Sequence, residues 1–416
     1  MRSRAAPVEV VRAACPAGNA TVAGVTVLLD HAASTPPRRE ARAALQRWLD
    51  AANASATHAA GQAARVAVEE AREQVATALR CSPHEVVFTS GGTEADNLAV
   101  KGIVWAARDR DPARTPHLVT TAVEHPAVLA PARWLAERGD ATLDVVPPDA
   151  DGRVPVERVL DAVRADTCLV SVMTANNELG AVNDLATLGR ELRARGIALH
   201  TDAVQAVATL DVDMTGWQLD ALASSGHKFG APQGVGVAVL RRGLAVVPLT
   251  HGGGQDRGVR SGTFAAGLDA AYGAALTAAV ADRAGLRDRL RLLTDRLAAG
   301  LLALDGVRRN GPTDPDHRLA SHLHLSLDGV DGAALTVALD RAGLAASSGA
   351  ACGAGAATAS PVLEACDVVG TPLRLSLGWT STDAEVDRAL DVLTDLVPRL
   401  RAGTAAAGAA AGVVGA

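Results

Sequence analysis

The feature that most constrains the fold is an alternation of short β-rich runs with longer helical segments between residues 86 and 240. The runs are EVVFTS, HLVTTAVE, CLVSVMTA, IALHTDAV, LDALASS and GVGVAVL. The segments between them carry apolar residues at helical spacing. Strands that alternate with helices build βαβ units, whose strands are parallel. We therefore predict an α/β domain with a mostly parallel, doubly wound sheet.

A second, smaller domain is predicted from the pattern after residue 263. A long helical segment leads out of the first domain, and HLHLSLDG, GAALTVALDRAG, LRLSLGWT and DAEVDRALDVLTDLVPRL then have the patterns of strand, helix, strand and helix. A chain of 416 residues is long enough for two domains. We expect a flexible extension at 1–25, a large domain at 41–280, a small domain at 26–40 and 281–402, and a disordered Ala/Gly tail at 403–416.

Composition and charge argue against several classes of function. The chain has 40 Lys and Arg against 46 Asp and Glu, a formal net charge of −6, so we expect no basic surface for nucleic acid or anionic lipid. It contains no strongly apolar run of the roughly 18 residues that a membrane span needs, and its amino end lacks the apolar core of a secretion signal. The five cysteines include no C-x-x-C pair, which argues against a disulfide framework and a zinc site. We expect a cytoplasmic protein without a metal.

Three polar residues follow predicted strands at positions that suit a cofactor. Lys228 lies in SSGHKFG, where desolvation would free its amine to form a Schiff base with an aldehyde cofactor. Asp202 ends the apolar segment GIALHT, at a strand end where a carboxylate could keep a pyridinium nitrogen protonated. His125 follows HLVTTAVE and could lie on a flat ring and exchange protons. Each has an ordinary alternative: a surface lysine, a helix-capping aspartate and a structural histidine.

Two more motifs occupy strand ends in the same domain. TSGGTEADN combines a strand, a Gly91-Gly92-Thr93 turn and a helix amino end, the geometry that offers backbone N–H groups to a phosphate. Its acidic residues could equally mark an ordinary capped helix. TANNELG, with Asn176 and Asn177, could bind a phenolic oxygen or a carboxylate, or could form a turn. The five motifs at successive strand ends together favour a cofactor site.

With these motifs in place, the sequence resembles the pyridoxal-phosphate-dependent cysteine desulfurases of the class V aminotransferase group, in their long-loop type. The resemblance runs from LLDHAASTPP through VVFTSGGTEADNLAVKG, EHPAVL, NNELGAV, HTDAVQAVA, SSGHKFGAPQGVGVAVLRR and HGGGQDRGVRSGT to SSGAAC and LRLSLGWT. It covers nearly the whole chain in the family's order. It implies fold type I, with a mostly parallel seven-stranded sheet in the large domain, a smaller α+β domain, and a homodimer.

The resemblance also implies roles for individual residues. Lys228 would bind pyridoxal 5'-phosphate as a Schiff base, His125 would transfer protons, and Cys352, in ASSGAACGAGAATAS, would be the nucleophile. Arg374 and Asn177 would bind the substrate, because a guanidinium can fork onto a carboxylate. The cofactor-binding residues would be Gly92, Thr93, His125, Asn177, Asp202, Gln205, Ser225, His227, Lys228 and, reaching the neighbouring subunit, Thr263.

The function implied is the conversion of L-cysteine to L-alanine, with transfer of the sulfur to Cys352 as a persulfide. The sulfur would pass on to an acceptor protein for iron–sulfur cluster assembly, for thiolation of tRNA or DNA, or for the biosynthesis of a sulfur-containing metabolite. The small residues around Cys352 suit a nucleophile on a mobile tether. Two alternatives stay open. One is another class V enzyme, such as a selenocysteine lyase, an epimerase or an aminotransferase; the other is a catalytically silent binding subunit.

Overall fold

The computed structural model describes residues 27–348 and 360–414. Its strands are β1 (Val27–Leu28), β2 (Val86–Thr89), β3 (His117–Thr121), β4 (Thr142–Val146), β5 (Thr167–Ser171), β6 (Ala198–Asp202), β7 (Ala221–Ser225), β8 (Gly236–Leu240), β9 (Val307–Asn310), β10 (His322–Leu327), β11 (Leu344–Ala345) and β12 (Thr371–Ser376). Its α-helices are α1 (Arg39–Arg47), α2 (Ala59–Leu79), α3 (Gly92–Arg110), α4 (Pro126–Glu137), α5 (Val156–Asp161), α6 (Leu185–Ala194), α7 (Ala266–Leu302), α8 (Gly332–Arg341), α9 (Pro361–Ala365) and α10 (Asp383–Val414). The expected extension at 1–25 and Cys352 lie outside the described residues.

A seven-stranded sheet forms the centre of the larger part of the molecule, in the order β2-β8-β7-β6-β5-β3-β4. β8 is antiparallel to both of its neighbours, and the other pairs are parallel. Since β8 lies between β2 and β7, those two strands run in the same direction as β3 and β6. The prediction of a mostly parallel, doubly wound sheet is confirmed, and the carboxyl ends of β2, β3, β6 and β7 share one edge.

The strand at the outer edge of this sheet, β4, is absent from the β-rich runs read from the sequence. Its residues, TLDVV, are mostly solvent-accessible, and only Val146 at its end is buried. An edge strand pairs on one side only and does not need the continuous apolar run that marks a central strand. Its sequence signal is therefore weak.

The second part of the molecule has its own sheet and core. β9, β10 and β12 form an antiparallel sheet in the order β12-β10-β9, and β1 pairs in parallel with β11. The predicted strand, helix, strand and helix correspond to β10, α8, β12 and α10. α7 joins the two parts: Ala279 belongs to the core of the large sheet and Leu290 to the core of the small one. The core that α7 packs against therefore changes between these two residues.

The structure differs from expectation in the Ala/Gly-rich tail. We expected disorder at 403–416, but α10 continues to Val414. Alanine has the highest helix propensity, and adding a residue to an existing helix avoids the cost of nucleation. Within the described residues, none of the helices combines the length and the apolar character that crossing a bilayer requires.

Candidate active site

A cavity of about 360 Å³ lies at the shared carboxyl edge of the large sheet. Its lining contains most of the residues that the resemblance singles out: Gly92, Thr93, His125, Asn177, Asp202, Gln205, Ser225, His227, Lys228 and Arg374. In open α/β sheets this edge is where ligands bind. The topology therefore brings together side chains that are up to 282 positions apart in the sequence.

Among the expected site residues that the structure describes, Thr263 does not line this cavity. Cys352 lies outside the described residues. Thr263 is exposed and lines a separate cavity with Trp48, Asn53 and Phe264. The expected role of Thr263 toward a neighbouring subunit stays a proposal.

Lys228 ends a single turn of 3₁₀ helix, Gly226–Lys228, that directly follows β7. Its Nζ donates hydrogen bonds to the carbonyl oxygens of Ala32, at 2.6 Å, and Ala33, at 3.0 Å. These carbonyls belong to the segment that follows β1, which closes one side of the cavity. The amine is thus aimed at a fixed position on the cavity wall.

Asp202 is the last residue of β6 and is 4% exposed. Its Oδ1 accepts the N–H of Val204 at 2.8 Å. Burial raises its pKa, and the Val204 N–H, His125 and Lys228 partly offset that effect. A buried carboxylate at this place is best stabilised by a further cationic partner inside the cavity.

His125 follows β3 and caps the amino end of α4. Its Nδ1 accepts the N–H of Ala127 at 3.1 Å, which places the proton of a neutral ring on Nε2. Burial lowers the pKa of His125, and the charges of Asp202 and Lys228 act on it in opposite directions. The imidazole is therefore neutral at pH 7, with one N–H donor.

The amino end of α3 forms a narrow cradle next to these groups. A Cβ added at Gly92 would lie 2.8 Å from Cγ2 of Val204 and 3.4 Å from Cβ of Ser225, so the backbone approaches closely only because residue 92 is glycine. The free N–H groups of this 19-residue helix and the Ser225 hydroxyl suit a phosphate. Burial and the Lys228 charge lower the pKa of the neighbouring His227 to about 4. The residues present therefore fit a phosphorylated aldehyde cofactor.

Arg374, on β12, brings a buried cation to the cavity from the small sheet. It is 4% exposed. Nη1 donates to the carbonyl of Asn177 at 2.9 Å, and Nη2 pairs with Oδ1 of Asp30 at 2.7 Å. Its Nε has no hydrogen-bond acceptor among the described residues. The guanidinium is thus held at two points and keeps donors for an incoming carboxylate.

Asp96 is a cavity residue that the sequence reasoning did not assign to the site. It lies in the first turns of α3, is 1% exposed, and its Oδ1 is 3.5 Å from Nε2 of His200. Burial, and then the charges of Asp202 and Glu124, raise its pKa well above the ordinary value. An acidic residue on the apolar face of an amphipathic helix is the signal that could have revealed it.

The thiols of the three described cysteines have pKa values too high for a nucleophile. Burial raises the pKa of Cys81 and Cys168 to about 12 and that of Cys366 to about 11. A thiol that ionises so reluctantly is a poor nucleophile. These cysteines suit packing roles.

Several buried histidines make the protein sensitive to acid. Burial lowers the pKa of His31 to about 4, and lowers to about 3 the pKa values of His200, His322 and His324. In the unfolded chain each histidine would take up a proton near pH 6.5. The contribution of these neutral histidines to the free energy of unfolding is therefore fully present above pH 6.5. It is lost as the pH falls toward their pKa values in the folded protein.

We expect the free energy of unfolding of the cofactor-free protein to fall by roughly 2–3 kcal/mol between pH 6 and pH 5. The raised pKa values of Asp96 and Glu124 act in the opposite direction and offset part of the loss. Urea unfolding at the two pH values measures the difference. A His324→Gln variant should lose about 1 kcal/mol of this difference, and a stability that rises on acidification would contradict the assignment.

Comparison with known proteins agrees with this geometry. The family "Aminotransferase class-V" matches residues 27–389. An IscS-like cysteine desulfurase from Mycobacterium tuberculosis is 48% identical over 395 residues, which cover 92% of this chain and 99% of that protein. A solved structure of a NifS-like protein has a TM-score of 0.82 at 30% identity and covers 90% of this chain and 100% of its own.

A second solved structure, SspA in complex with cysteine, has a TM-score of 0.73 at 30% identity and covers 85% of this chain and 99% of that one. The similarity in sequence therefore extends over nearly the full length of this chain and of its relative. The similarity in fold covers most of this chain and nearly all of each solved structure. The chain belongs to the class V aminotransferase family and, within it, to the pyridoxal-phosphate-dependent cysteine desulfurases.

Proposed function

We propose that this enzyme binds pyridoxal 5'-phosphate in the cavity at the sheet edge and passes the sulfur of L-cysteine to Cys352. The observation that carries the proposal is that Lys228, Asp202, His125 and Arg374 line one cavity. When bound, the cofactor supplies an aldehyde that condenses with amines and a ring that accepts electrons from a broken bond.

The residues that would hold the cofactor divide according to its chemical groups. Lys228 would bind its aldehyde carbon, Asp202 its ring nitrogen, and His125 would stack on the ring face. Its phosphate would lie at the amino end of α3. That end is formed by Gly92 and Thr93, with Ser225 and His227 beside it, while Asn177 and Gln205 would bind the oxygen side of the ring.

Arg374 would bind the substrate carboxylate. Its contacts with Asp30 and with the Asn177 carbonyl orient the guanidinium plane before the substrate arrives. The neutral His125 and the amine of Lys228 then provide two places where a proton can be held close to the substrate. The complex of SspA with cysteine supports L-cysteine as the substrate class.

Cys352 would act as its thiolate. One S–S bond forms between Cys352 and the substrate sulfur, and the bond between that sulfur and the substrate β-carbon breaks. The electron pair of the broken bond ends on the β-carbon, which takes up a proton to give L-alanine. L-cysteine and the thiol thus give L-alanine and a persulfide, and no external oxidant is needed.

We further propose a homodimer, in which Thr263 reaches the phosphate of the partner subunit, and a protein that accepts the sulfur from Cys352. Thr263 is exposed and lies outside the cavity of its own subunit, which supports this arrangement. A reducing compartment keeps a nucleophilic thiol such as that of Cys352 from forming a disulfide, and this favours a cytoplasmic location. The acceptor could serve iron–sulfur cluster assembly, thiolation or metabolite biosynthesis.

Incubating the purified protein and pyridoxal phosphate with L-cysteine and a thiol reductant tests the proposal. We expect equal amounts of L-alanine and sulfide, because each turnover moves one sulfur atom. L-selenocysteine tested beside L-cysteine separates a desulfurase from a selenocysteine lyase. If alanine formed only from selenocysteine, or if no alanine formed, the proposal would be wrong.

Replacing Arg374 with lysine should raise the KM for L-cysteine by about tenfold or more and change kcat less. A lysine ammonium cannot hold Asp30 and the Asn177 carbonyl while it also forks onto a carboxylate. Steady-state kinetics measure both constants. Arg318→Lys is the matched control, since Arg318 is equally buried and also pairs with an aspartate, Asp295. An unchanged KM in the Arg374 variant would contradict its assignment to the substrate carboxylate.

A further inference from the structure

The segment that carries Cys352 is attached at its two ends to different parts of the molecule. Before it, Ser347 and Arg374 exchange backbone hydrogen bonds of 2.7 and 3.3 Å, within the small-sheet region. After it, α9 buries Val362 and Leu363 in the core of the large sheet. The described residues on both sides are thus fixed, one side to each core.

Ser360, the first described residue after this segment, forms a hydrogen bond with Glu178, the neighbour of the cavity residue Asn177. Its Oγ donates a hydrogen bond to Oε1 of Glu178 at 2.8 Å. The same oxygen accepts the N–H groups of Val362, at 3.2 Å, and Leu363, at 3.4 Å. One hydroxyl therefore caps α9 and joins that helix to Glu178.

Glu178 is itself held in a rigid turn next to the substrate side of the cavity. Oδ1 of Asn176 accepts the N–H groups of Glu178, at 2.9 Å, and Leu179, at 2.8 Å. Nδ2 of Asn176 donates to the Val123 carbonyl at 3.0 Å, which ties the turn to the chain just after β3. The neighbouring residue, Asn177, offers the carbonyl that orients Arg374. The bond to Ser360 thus starts from the turn that also positions the substrate-binding arginine.

The electrostatic setting of Glu178 supports a specific contact. Burial raises its pKa, whereas the Ser360 hydroxyl and the charge of Arg374 lower it. A carboxylate that is partly removed from water loses hydration, and a hydrogen bond from a neighbouring hydroxyl offsets part of that loss. Breaking the bond would leave an unsatisfied acceptor, so the contact is more than an incidental surface pairing.

We infer that Glu178 is a positioning residue for sulfur transfer: through Ser360 it fixes the carboxyl-terminal attachment of the Cys352 segment relative to Arg374. The inference rests on the proposed role of Cys352. Cys352 follows Ser348 by four residues and precedes Ser360 by eight. The position of Ser360 therefore limits how far Cys352 can lie from Glu178. Without the bond to Glu178, Ser360 is less firmly held, and we expect a lower effective concentration of the Cys352 thiol at the substrate.

The test compares Glu178→Ala and Glu178→Gln with the wild-type holoenzyme. The spectral change on adding L-cysteine measures substrate binding, and quenched single-turnover samples measure the rate of persulfide formation on Cys352. We expect Glu178→Ala to slow persulfide formation about tenfold, with substrate affinity within about twofold of wild type. Glu178→Gln should stay within about threefold of the wild-type rate, because its amide oxygen still accepts the Ser360 hydroxyl. Glu364→Ala, which removes an exposed carboxylate from α9, is the matched control and should not change the rate.

Ser360→Ala provides a second route to the same contact. Alone it should slow persulfide formation like Glu178→Ala, and the double variant should be no slower than either single variant, because both changes remove one bond. This variant decides the question if Glu178→Ala fails to fold, which lost cofactor absorbance would reveal.

Three results would overturn the inference: a wild-type rate in Glu178→Ala, an equal loss of substrate affinity and rate, or a Glu178→Gln variant as slow as Glu178→Ala. Failure of the proposed function would look different. In that case Cys352→Ala would itself release sulfide at the wild-type rate, whatever residue stands at position 178.

Discussion

Replacing Lys228 with alanine is expected to lower the rate of alanine formation from L-cysteine by about a thousandfold or more. The variant should also lose the visible absorbance of a lysine-bound cofactor. The reason is that the carbonyls of Ala32 and Ala33 hold the Lys228 amine at the wall of the cavity that Asp202 and His125 also line. Absorbance spectra and steady-state assays on the same preparation measure both effects.

The chain offers a matched control for this experiment, because its sequence contains only one other lysine, Lys101. Lys101 lies over the ring of Trp134, with its Nζ 4.5 Å from the ring centroid, and does not line the cavity. Lys101→Ala should keep both absorbance and activity. Borohydride reduction of the wild-type holoenzyme should attach the cofactor to the peptide of Lys228. Attachment to Lys101, or full activity without Lys228, would contradict the assignment.

Replacing Cys352 with alanine is expected to abolish sulfide release, again by about a thousandfold or more, while the cofactor spectrum and its response to L-cysteine remain. The physical reason is that, in the proposed mechanism, binding uses Lys228 and Arg374, whereas breaking the carbon–sulfur bond needs a nucleophile for the sulfur. Assays of sulfide and alanine, together with a spectral titration, separate the two steps.

Cys366→Ala is the control for this variant. Cys366 follows α9 directly and is the described cysteine closest in sequence to Cys352, but burial raises its pKa to about 11. Its replacement should leave sulfide release near the wild-type level. If Cys366→Ala and Cys352→Ala lost activity equally, or if neither did, the nucleophile would have to be sought elsewhere.

The parts of the site that the sequence could predict are those that follow central strands. Asp202 ends β6, and His125 and Lys228 follow β3 and β7 within four residues. Parallel strands place such residues at one sheet edge. The local sequence is sufficient for this inference. The end of each β-rich run indicates where a strand ends, and a helix that follows indicates that the next strand is parallel.

The parts of the site that the sequence could not predict depend on contacts between distant segments. The pair of Asp30 and Arg374 joins residues 344 positions apart, and the bond between Glu178 and Ser360 spans 182 positions. No periodicity or spacing encodes such pairs. The first arises where the chain after β1 lies against β12, and the second arises where α9 docks against the large sheet. Asp96 was missed for another reason: its burial depends on which face of α3 packs against the sheet.

The account's central claim is that Cys352 receives the sulfur of L-cysteine. Mass spectrometry of peptides from the holoenzyme, taken after a single turnover and without reductant, tests it most directly. We expect the Cys352 peptide to gain the mass of one sulfur atom, in a one-to-one ratio with the L-alanine formed. An unmodified Cys352 beside an equivalent amount of free sulfide, or an added sulfur on another cysteine, would contradict the claim.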